Sequence, residues 1–240
     1  MATTPAIVLV QPQLGENIGK AARAMLNFGL TDLRLVDPRD GWPNPSAGPA
    51  ASGADVVLNK AQVFETVAEA IADCHHVYAT TVRPRGMVKD VVSPRAAAQE
   101  TRTHLGMGQK VAFMFGREAS GLSNDDVAQA GKILTAPVNP DFGSLNLAQA
   151  VILVAYELFQ INEQEAGPAT NNVDKATSEE LEGLHNHLVD ELEPRGYFRS
   201  EGREASQHRT LRSLMQNANF SSQQVQTLRG VIKSLARTKR

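Results

Sequence analysis

Short apolar runs alternate with amphipathic stretches along the first 160 residues of the chain. The apolar runs predict β-strands over residues 6–10, 33–36, 75–80, 110–115 and 132–136. Apolar positions that recur every three or four residues predict helices over residues 17–28, 61–72, 94–105, 123–130 and 145–161. Because strands that alternate with helices usually pair in parallel, we expect an α/β domain with a parallel sheet flanked by helices. Residues 38–54 are rich in Pro, Gly, Ala and Ser and predict a long surface loop.

The hydrophobic pattern changes after residue 162. Residues 163–176 contain Gly167, Pro168 and two adjacent Asn residues and lack helical periodicity, so they predict a linker. Three amphipathic segments follow, and the first begins with a capping box at residues 177–180. Their apolar positions are Leu181, Leu184, Leu188 and Leu192, then Leu211, Leu214 and Met215, and last Val225, Leu228, Ile232 and Leu235. We therefore divide the chain into a domain of residues 1–162, a linker of residues 163–176 and an all-helical extension of residues 177–240.

Composition argues against several classes of protein. No apolar run approaches the roughly 18 residues of a membrane span, and the N-terminus lacks the basic and apolar regions of a signal peptide, so we expect a cytoplasmic protein. The lone Cys74 cannot form an internal disulfide. Consecutive strand residues point to opposite faces, so Cys74, His75 and His76 cannot all bind one ion, and we expect no metal site.

Charge is distributed unevenly along the chain. The net charge of −2 argues, by itself, against a nucleic-acid-binding protein. However, residues 205–240 contain seven of the 24 basic residues and no acidic residue, which leaves 17 basic against 26 acidic residues in the first 204. This basic tail either solubilises the end of the chain or forms a patch that attracts RNA phosphates. As an alternative to RNA binding, the apolar faces of the three helices in residues 177–240 would only brace a dimer.

Three polar loops follow apolar strands. The first precedes a helix that Gly29 is expected to end, the second covers residues 116–122, and the third covers residues 137–144. We expect Ser144 to lie where the next helix begins. Because the carboxyl ends of parallel strands meet at one edge of a sheet, the three loops are expected to converge on one ligand site.

These loops resemble the three motifs of the SpoU branch of the SPOUT RNA methyltransferases. The first motif matches at Asn17 and Arg23, the second at residues 115–122 and the third at residues 144–147. The resemblance covers roughly the first two-thirds of the chain, with the motifs in the correct order. It implies S-adenosylmethionine-dependent methylation of ribose 2′-hydroxyls in RNA, a homodimer, and a deep trefoil knot formed by the second and third motif segments.

The end of the chain resembles a particular subgroup of that family. Residues 196–198 and 228–230 are similar to the C-terminal part of the TrmJ subgroup, which implies tRNA as substrate and the pyrimidine at nucleotide 32 of the anticodon loop as target. Ribosomal RNA is the nearest alternative substrate, and a non-catalytic RNA-binding protein on the same scaffold is a second alternative. The sequence lacks a Walker A motif and a G-x-G-x-x-G fingerprint, which disfavours a nucleotide-dependent oxidoreductase.

The resemblance also assigns a cofactor pocket. It implies that S-adenosylmethionine is held by Thr80, Thr81, Val82, Gly116, Ala136, Gly143, Ser144 and Leu145. Backbone donors and acceptors at such positions can bind the edge of an adenine, and the apolar Ala136 and Leu145 can cover its face.

Five side chains are the candidates for catalysis. They are Arg23, Asn17, Glu118, Ser144 and Asn146. A ribose hydroxyl has a pKa far above 7, so a cation beside the reacting oxygen can stabilise the developing alkoxide. The resemblance gives this role to Arg23, close to the cofactor site of the partner subunit. It gives Ser144 and Asn146 a part in cofactor binding and substrate placement.

Three of these residues have simpler explanations. Spacing alone is equally compatible with Arg23 as an exposed helix residue, Asn17 as an N-cap and Glu118 as a solvent-facing carboxylate. The resemblance favours hydrogen bonding in the active site for Asn17. For Glu118 it favours a structural and substrate-orienting role, through Arg23 or Asn17, over a role as general base.

Overall fold

Seven parallel strands form a single sheet at the centre of the molecule. The computed structural model describes residues 4–82, 88–162, 174–198 and 203–236. The strands are β1 (Ala6–Val10), β2 (Leu33–Val36), β3 (Gln62–Phe64), β4 (His76–Thr80), β5 (Val91–Val92), β6 (Val111–Phe115) and β7 (Lys132–Leu134). Their order across the sheet is β3-β2-β1-β6-β4-β7-β5, and every neighbouring pair is parallel. The prediction of a parallel sheet flanked by helices is confirmed. The trefoil knot stays a prediction.

Helices cover both faces of the sheet. They are α1 (Gly15–Asn27), α2 (Ala47–Ala51), α3 (Asp55–Leu58), α4 (Val67–Ile71), α5 (Pro94–Gly106), α6 (Asn124–Ala128), α7 (Leu147–Asn162), α8 (Ser178–Leu192), α9 (Glu204–Asn217) and α10 (Ser222–Ala236). None of the helices among these described residues is long and apolar enough to cross a membrane.

Alternate residues of the central strands pack into two separate cores. Ile7 and Leu9 of β1 point to the face that α1, α2, α3, α5 and α7 cover, and Val8 and Val10 point to the face that α4 and α6 cover. This period of two, with both faces buried, explains why the central strands are continuous apolar runs. The buried strands β1 and β6 lie side by side and carry the loops of the first two motifs at their carboxyl ends.

Two predicted segments differ from the structure. Residues 61–72 were expected to form one helix but contain the edge strand β3 followed by the short helix α4, which Thr66 and Glu69 begin with a capping box. The predicted surface loop 38–54 contains α2 and is followed by α3. Ala47 and Ala51 of α2 are buried where α2 packs closely on α1. The composition of the segment resembles that of a loop, so the sequence did not predict this helix. A Cβ on Gly19 of α1 would lie 2.1 Å from the carbonyl oxygen of Ala47.

The three helices of the extension have a small core of their own. Leu181 and Leu184 of α8, Met215 of α9 and Val225 of α10 are buried in it, together with Ala176. The extension packs on the face of the sheet that α4 and α6 cover. The first turn of α8 donates backbone N–H groups from Ser178 to Cys74 O and from Glu179 to Ala72 O. Most of the predicted linker lies outside the described residues.

Candidate active site at the carboxyl edge of the sheet

One pocket lies at the carboxyl ends of β4, β6 and β7. Its wall includes all eight residues that the sequence assigned to the cofactor, namely Thr80, Thr81, Val82, Gly116, Ala136, Gly143, Ser144 and Leu145. Four residues of α7 add an apolar side, namely Leu147, Ala150, Leu153 and Val154. The second and third motif loops therefore converge on one concave surface, which the parallel topology makes possible.

Threonine hydroxyls tie the floor of this pocket together. The Thr80 Oγ1 donates to Met114 O at 2.7 Å, across from β4 to β6. The Thr135 Oγ1 donates to Thr81 O at 2.7 Å, and Thr81 N donates to Leu134 O at 3.0 Å. These bonds hold the chain just past β4 against β6 and β7, so the backbone that lines the pocket is fixed. The strand β7 ends at Leu134, two residues before Ala136, rather than at residue 136 as predicted.

The second motif is a tight turn in which one glycine has a steric role. Gly121 N donates to Arg117 O at 2.8 Å, and Gly121 has a φ of +69°. A Cβ on Gly116 would lie 2.1 Å from Leu122 N, so no other residue fits there without a shift of the backbone. Gly116 thus shapes the pocket wall by letting two backbone segments approach each other.

The third motif begins α7 with Asn146 rather than with Ser144. Residues Pro140–Phe142 form a 3₁₀ turn, and α7 starts at Leu147 instead of at residue 145. The Asn146 Oδ1 accepts from Ala148 N at 2.9 Å, and Gln149 Oε1 accepts from Asn146 N at 3.1 Å. This reciprocal pair caps the helix. Ser144 lies before the cap, in the pocket wall.

A chain of hydrogen bonds links the three motifs. The Asn17 Nδ2 donates to Glu118 Oε1 at 3.0 Å, and Asn146 Nδ2 donates to Asn17 Oδ1 at 3.2 Å. Asn17 lies inside α1 and is only 4% exposed, whereas the N-cap of α1 is Leu14. The alternative in which Asn17 merely caps the helix is therefore wrong. Its buried amide instead connects the first motif to the other two.

Glu118 is occupied as a hydrogen-bond acceptor. Besides the amide of Asn17, its carboxylate accepts from Gln13 N at 2.9 Å and from Leu14 N at 3.3 Å. A carboxylate that accepts three N–H groups holds the loop before α1 in place. This geometry supports the orienting role through Asn17 and disfavours both the solvent-facing alternative and a general-base role.

Arg23 is not part of the pocket of its own chain. It lies exposed on α1, and it makes no hydrogen bond or ion pair with any residue that the structure describes. The side chain is therefore available to contact a ligand or a second chain, and its catalytic role stays a prediction.

Sequence reasoning missed a polar cluster beside the second motif. Arg117 lines the pocket, and its Nε donates to Gln11 Oε1 at 2.5 Å. The Gln11 Nε2 donates to Asp37 Oδ2 at 2.6 Å. Gln11 and Asp37, at the ends of β1 and β2, have positive φ values of 47° and 42°, which are uncommon for residues other than glycine. The position of Arg117 between Gly116 and Glu118 was the available signal.

The lining of the pocket fits an adenosine. Backbone groups of residues 80–82 and of the second and third motif loops offer the donors and acceptors that an adenine edge requires, and Ala136, Leu145 and α7 supply apolar cover. Among the residues that the structure describes, no group of three or more His, Cys, Asp or Glu side chains could hold a metal ion. The geometry suits binding of a nucleoside-containing cofactor.

The whole chain is similar to known RNA methyltransferases. The SpoU rRNA Methylase family matches residues 4–156. The tRNA (cytidine/uridine/adenosine-2'-O-)-methyltransferase TrmJ of Pseudomonas aeruginosa is 35% identical, over 94% of this chain and 91% of that protein. The crystal structure of TrmJ from Z. mobilis ZM4 superposes with a TM-score of 0.91 at 56% identity, over 98% of this chain and all of that one.

A more distant neighbour shares the fold alone. The SpoU methyltransferase AviRb from Streptomyces viridochromogenes, solved in complex with the cofactor AdoMet, superposes with a TM-score of 0.53 at 17% identity. That alignment covers 68% of this chain and 62% of AviRb. The family match and the near-complete alignments agree with the three motifs and with the pocket that they form. The chain belongs to the SpoU methylase family and, within it, to the TrmJ methyltransferases.

Proposed function

We propose that this protein transfers a methyl group from S-adenosylmethionine to a ribose 2′-hydroxyl of tRNA, at the pyrimidine of nucleotide 32 in the anticodon loop. The observation that carries the proposal is the convergence of the second and third motif loops on one pocket, to which the first motif is joined by the chain of bonds from Glu118 through Asn17 to Asn146. The choice of tRNA rests on the printed activity of the Pseudomonas aeruginosa relative, which aligns with nearly the whole chain.

The cofactor pocket follows from the same geometry. We assign cofactor binding to the backbone of residues 80–82 and 143–145 and to Gly116 and Ala136, which line the pocket together. S-Adenosylmethionine, when bound, supplies a methyl group on a sulfonium, which is an excellent leaving group. The task of the protein is therefore to align the ribose oxygen and to make it more nucleophilic.

Arg23 is the cation that we assign to the ribose oxygen. A fixed guanidinium beside that oxygen stabilises negative charge as it develops. Because Arg23 lies outside the pocket of its own chain, the arrangement requires that it reach the pocket of a second chain. Asn17 and Glu118 hold the start of α1 and thereby fix the direction in which this helix presents Arg23.

The required second chain agrees with an exposed apolar surface on α7. Ile152, Leu153, Tyr156 and Phe159 are each between 38% and 45% exposed, and α7 packs beside α1. Burial of such a surface in an isologous contact would form a homodimer and bring each Arg23 toward the partner's site. We therefore assign the active form to a dimer through α1 and α7, working on tRNA in the cytoplasm.

Ribose methylation mapped by mass spectrometry in tRNA and ribosomal RNA, with and without the gene, tests the substrate. We expect loss of one methyl group at nucleotide 32 of tRNA and no change in ribosomal RNA. Purified protein should methylate a tRNA transcript, and a matched transcript with a 2′-deoxyribose at nucleotide 32 should accept no methyl group. Undiminished methylation of the deoxy transcript would refute the position, and loss of methylation in ribosomal RNA alone would refute the tRNA assignment.

A further inference from the structure

A second cavity lies at the amino edge of the sheet, opposite the candidate active site. Its walls come from the starts of β4 and β7, from residues 88–90 before β5, and from α5. It is closed by Lys175 near the end of the linker and by Gln216, Asn217 and Asn219 of the extension. The cavity thus exists only where the extension meets the domain that carries the methyltransferase motifs, and none of its residues belongs to that first site.

Two lysines in this cavity, the buried Lys89 and the half-buried Lys175, have no carboxylate partner among the described residues. The Lys89 Nζ donates to the carbonyl oxygens of Ala128 and Ala130, at 3.3 and 2.5 Å. The Lys175 Nζ donates to Asn219 Oδ1 at 3.0 Å and contacts His76 Nδ1 at 3.0 Å. Neither amine forms an ion pair within the described ranges of the chain. Burial lowers the pKa of both lysines to about 8, so each still carries a charge at neutral pH that nothing in the cavity neutralises.

Carboxylates do not cancel these two charges. Glu100 is held by Lys132 Nζ at 2.7 Å and by the hydroxyl of Tyr78 at 2.6 Å, so its charge is already compensated. Asp90 lies on the solvent side and is exposed. The cavity therefore combines one compensated ion pair and one exposed carboxylate with two ammonium groups, of which that of Lys89 is buried and that of Lys175 half-buried.

Neutral polar groups complete the lining. The rings of His76 and His104 stack with their centroids 3.4 Å apart, and burial lowers their pKa values to about 2 and about 4. The His76 Nε2 is 2.9 Å from Gln109 Oε1, which together with the Lys175 contact makes His76 a neutral Nε2–H tautomer. The buried His104 Nδ1 has no hydrogen-bond partner among the described residues.

We propose that this cavity binds a phosphate group, either as a free phosphate ion or as a phosphate of bound RNA. A phosphate offers several acceptor oxygens and a negative charge, which match the two ammonium groups of Lys89 and Lys175. Because the ligands come from both the domain and the extension, a bound phosphate would also strengthen the contact between them.

The test uses the full-length protein and inorganic phosphate, with potassium chloride at equal ionic strength as the reference. NMR signals of the His76 and His104 imidazoles report on the cavity itself. We expect them to shift and saturate with phosphate, and to stay constant with chloride. Lys175→Gln removes one ammonium group, and the isosteric Gln216→Glu adds a carboxylate while leaving both lysines in place. Each should weaken phosphate binding about tenfold or more, which is the usual loss for a charged hydrogen bond.

Gln226→Glu on α10 is the matched control, since it makes the same change at an exposed site outside the cavity. It should bind phosphate as the unaltered protein does. Equal shifts with chloride and phosphate, or unchanged phosphate affinity in both Lys175→Gln and Gln216→Glu, would overturn the proposal.

Addition of tRNA distinguishes the two sources of phosphate, and only this arm rests on the proposed function. Loss of the phosphate-dependent shift at saturating tRNA would assign the cavity to an RNA phosphate. Persistence of the shift would assign it to a free anion. Both results support the site, because the phosphate titration itself contains neither tRNA nor S-adenosylmethionine and stands even if the protein methylates another RNA.

Discussion

The two edges of the sheet satisfy their polar side chains in opposite ways. At the carboxyl edge, the motif loops are joined by amide groups, and Glu118 accepts hydrogen bonds from two backbone N–H groups and from Asn17 rather than from a cation. At the amino edge, Arg34 is only 7% exposed and binds the carboxylates of Asp32 and Asp73. Lys110 adds a second cation on Asp73 at 2.8 Å.

Because of this difference, we expect the residues that control activity and those that control stability to lie at opposite edges of the sheet. Hydrogen bonds between amides and backbone fix the shape of the carboxyl edge, so a guanidinium brought there, as proposed for Arg23, should have a strong effect. Around Arg34 at the amino edge, the charges of Arg34, Asp32, Asp73 and Lys110 compensate one another, and removal of Arg34 leaves Asp32 without its cation and Asp73 with Lys110 alone. Substitutions at the carboxyl edge should therefore lower activity, whereas substitutions at the amino edge should lower the free energy of unfolding.

The largest expected effect is on activity, from Arg23→Ala. Loss of a fixed charge at a reacting oxygen typically lowers kcat by about 10²–10³. Because Arg23 is exposed and unpaired within the described part of the chain, the free energy of unfolding should change by no more than about 0.5 kcal/mol. Single-turnover methyl transfer at saturating tRNA measures the first quantity, and calorimetry with S-adenosylhomocysteine should give unchanged cofactor affinity. Lys60→Ala, at another exposed position, is the control. A near-normal rate for Arg23→Ala would end its assignment.

Arg34→Met should lower stability and leave activity unchanged. The substitution leaves Asp32 and Asp73, which are 33% and 42% exposed, without their shared cation and should lower the free energy of unfolding by about 1–2 kcal/mol, less than for a fully buried pair. Methyl transfer per folded molecule should stay normal. Chemical denaturation measures the loss, and Arg39→Met, which breaks the exposed pair with Asp40, should leave the midpoint unchanged. An Arg34→Met protein that is stable but inactive would contradict the separation of the two edges.

The same ion pair should make the free energy of unfolding depend on pH. Burial raises the pKa of Asp73, but hydrogen bonds from Arg34 and Lys110 outweigh it and hold the pKa well below the usual range. A carboxylate with a depressed pKa contributes stability that is present above its unfolded pKa of about 4 and is lost as the pH falls below it. The stability difference between the unaltered protein and Arg34→Met should therefore shrink between pH 5 and pH 3, by about 1–2 kcal/mol. A difference that stays constant over this range would show that Asp73 is not the partner that matters.

A smaller effect on both quantities is expected from Asn146→Ala. The change removes the cap of α7 and the bond to Asn17, so it should cost about 1 kcal/mol of stability. It should also weaken S-adenosylhomocysteine binding about tenfold, because loss of the bond to Asn17 frees the third motif loop from the first. Asn139→Ala is the matched control, since Asn139 caps the 3₁₀ turn of the same loop without touching Asn17. Equal cofactor affinity in the two variants would mean that the link between the motifs does not shape the pocket.

Burial explains which elements the sequence predicts well and which it misses. The central strands β1 and β6 are buried on both faces, so their apolar runs were unmistakable. The edge strands β3 and β5 are partly exposed and only three and two residues long, which is too short for any period to appear. The pocket residues followed from motif resemblance. The roles of Asn17 and Glu118 required tertiary contacts between residues about 100 positions apart, which spacing cannot reveal.

The smallest expected effect concerns the extension, which docks beside the amino edge. It tests whether the extension also binds the tRNA substrate. Of its seven tail cations, Arg209 pairs with Asp125 and Arg212 with Glu182, and Arg237, Lys239 and Arg240 lie outside the described residues. Arg229 and Lys233 of α10 form no ion pair among the residues that the structure describes. Most of the leucines that were alternative candidates to brace a dimer pack instead within the extension, although Leu235 is 80% exposed.

Charge reversal at Arg229 and Lys233 therefore tests whether the extension attracts RNA electrostatically. If both contact RNA phosphates, the double variant should bind tRNA more weakly, and the slope of log affinity against log salt should fall by about 0.7–0.9 per lost contact. Arg212→Gln, which removes a cation already paired with Glu182, should leave that slope unchanged. Affinity and slope that stay the same in the double variant would confine the extension to a structural role. In that case tRNA binding would belong to the carboxyl edge, which carries the motif loops and the pocket.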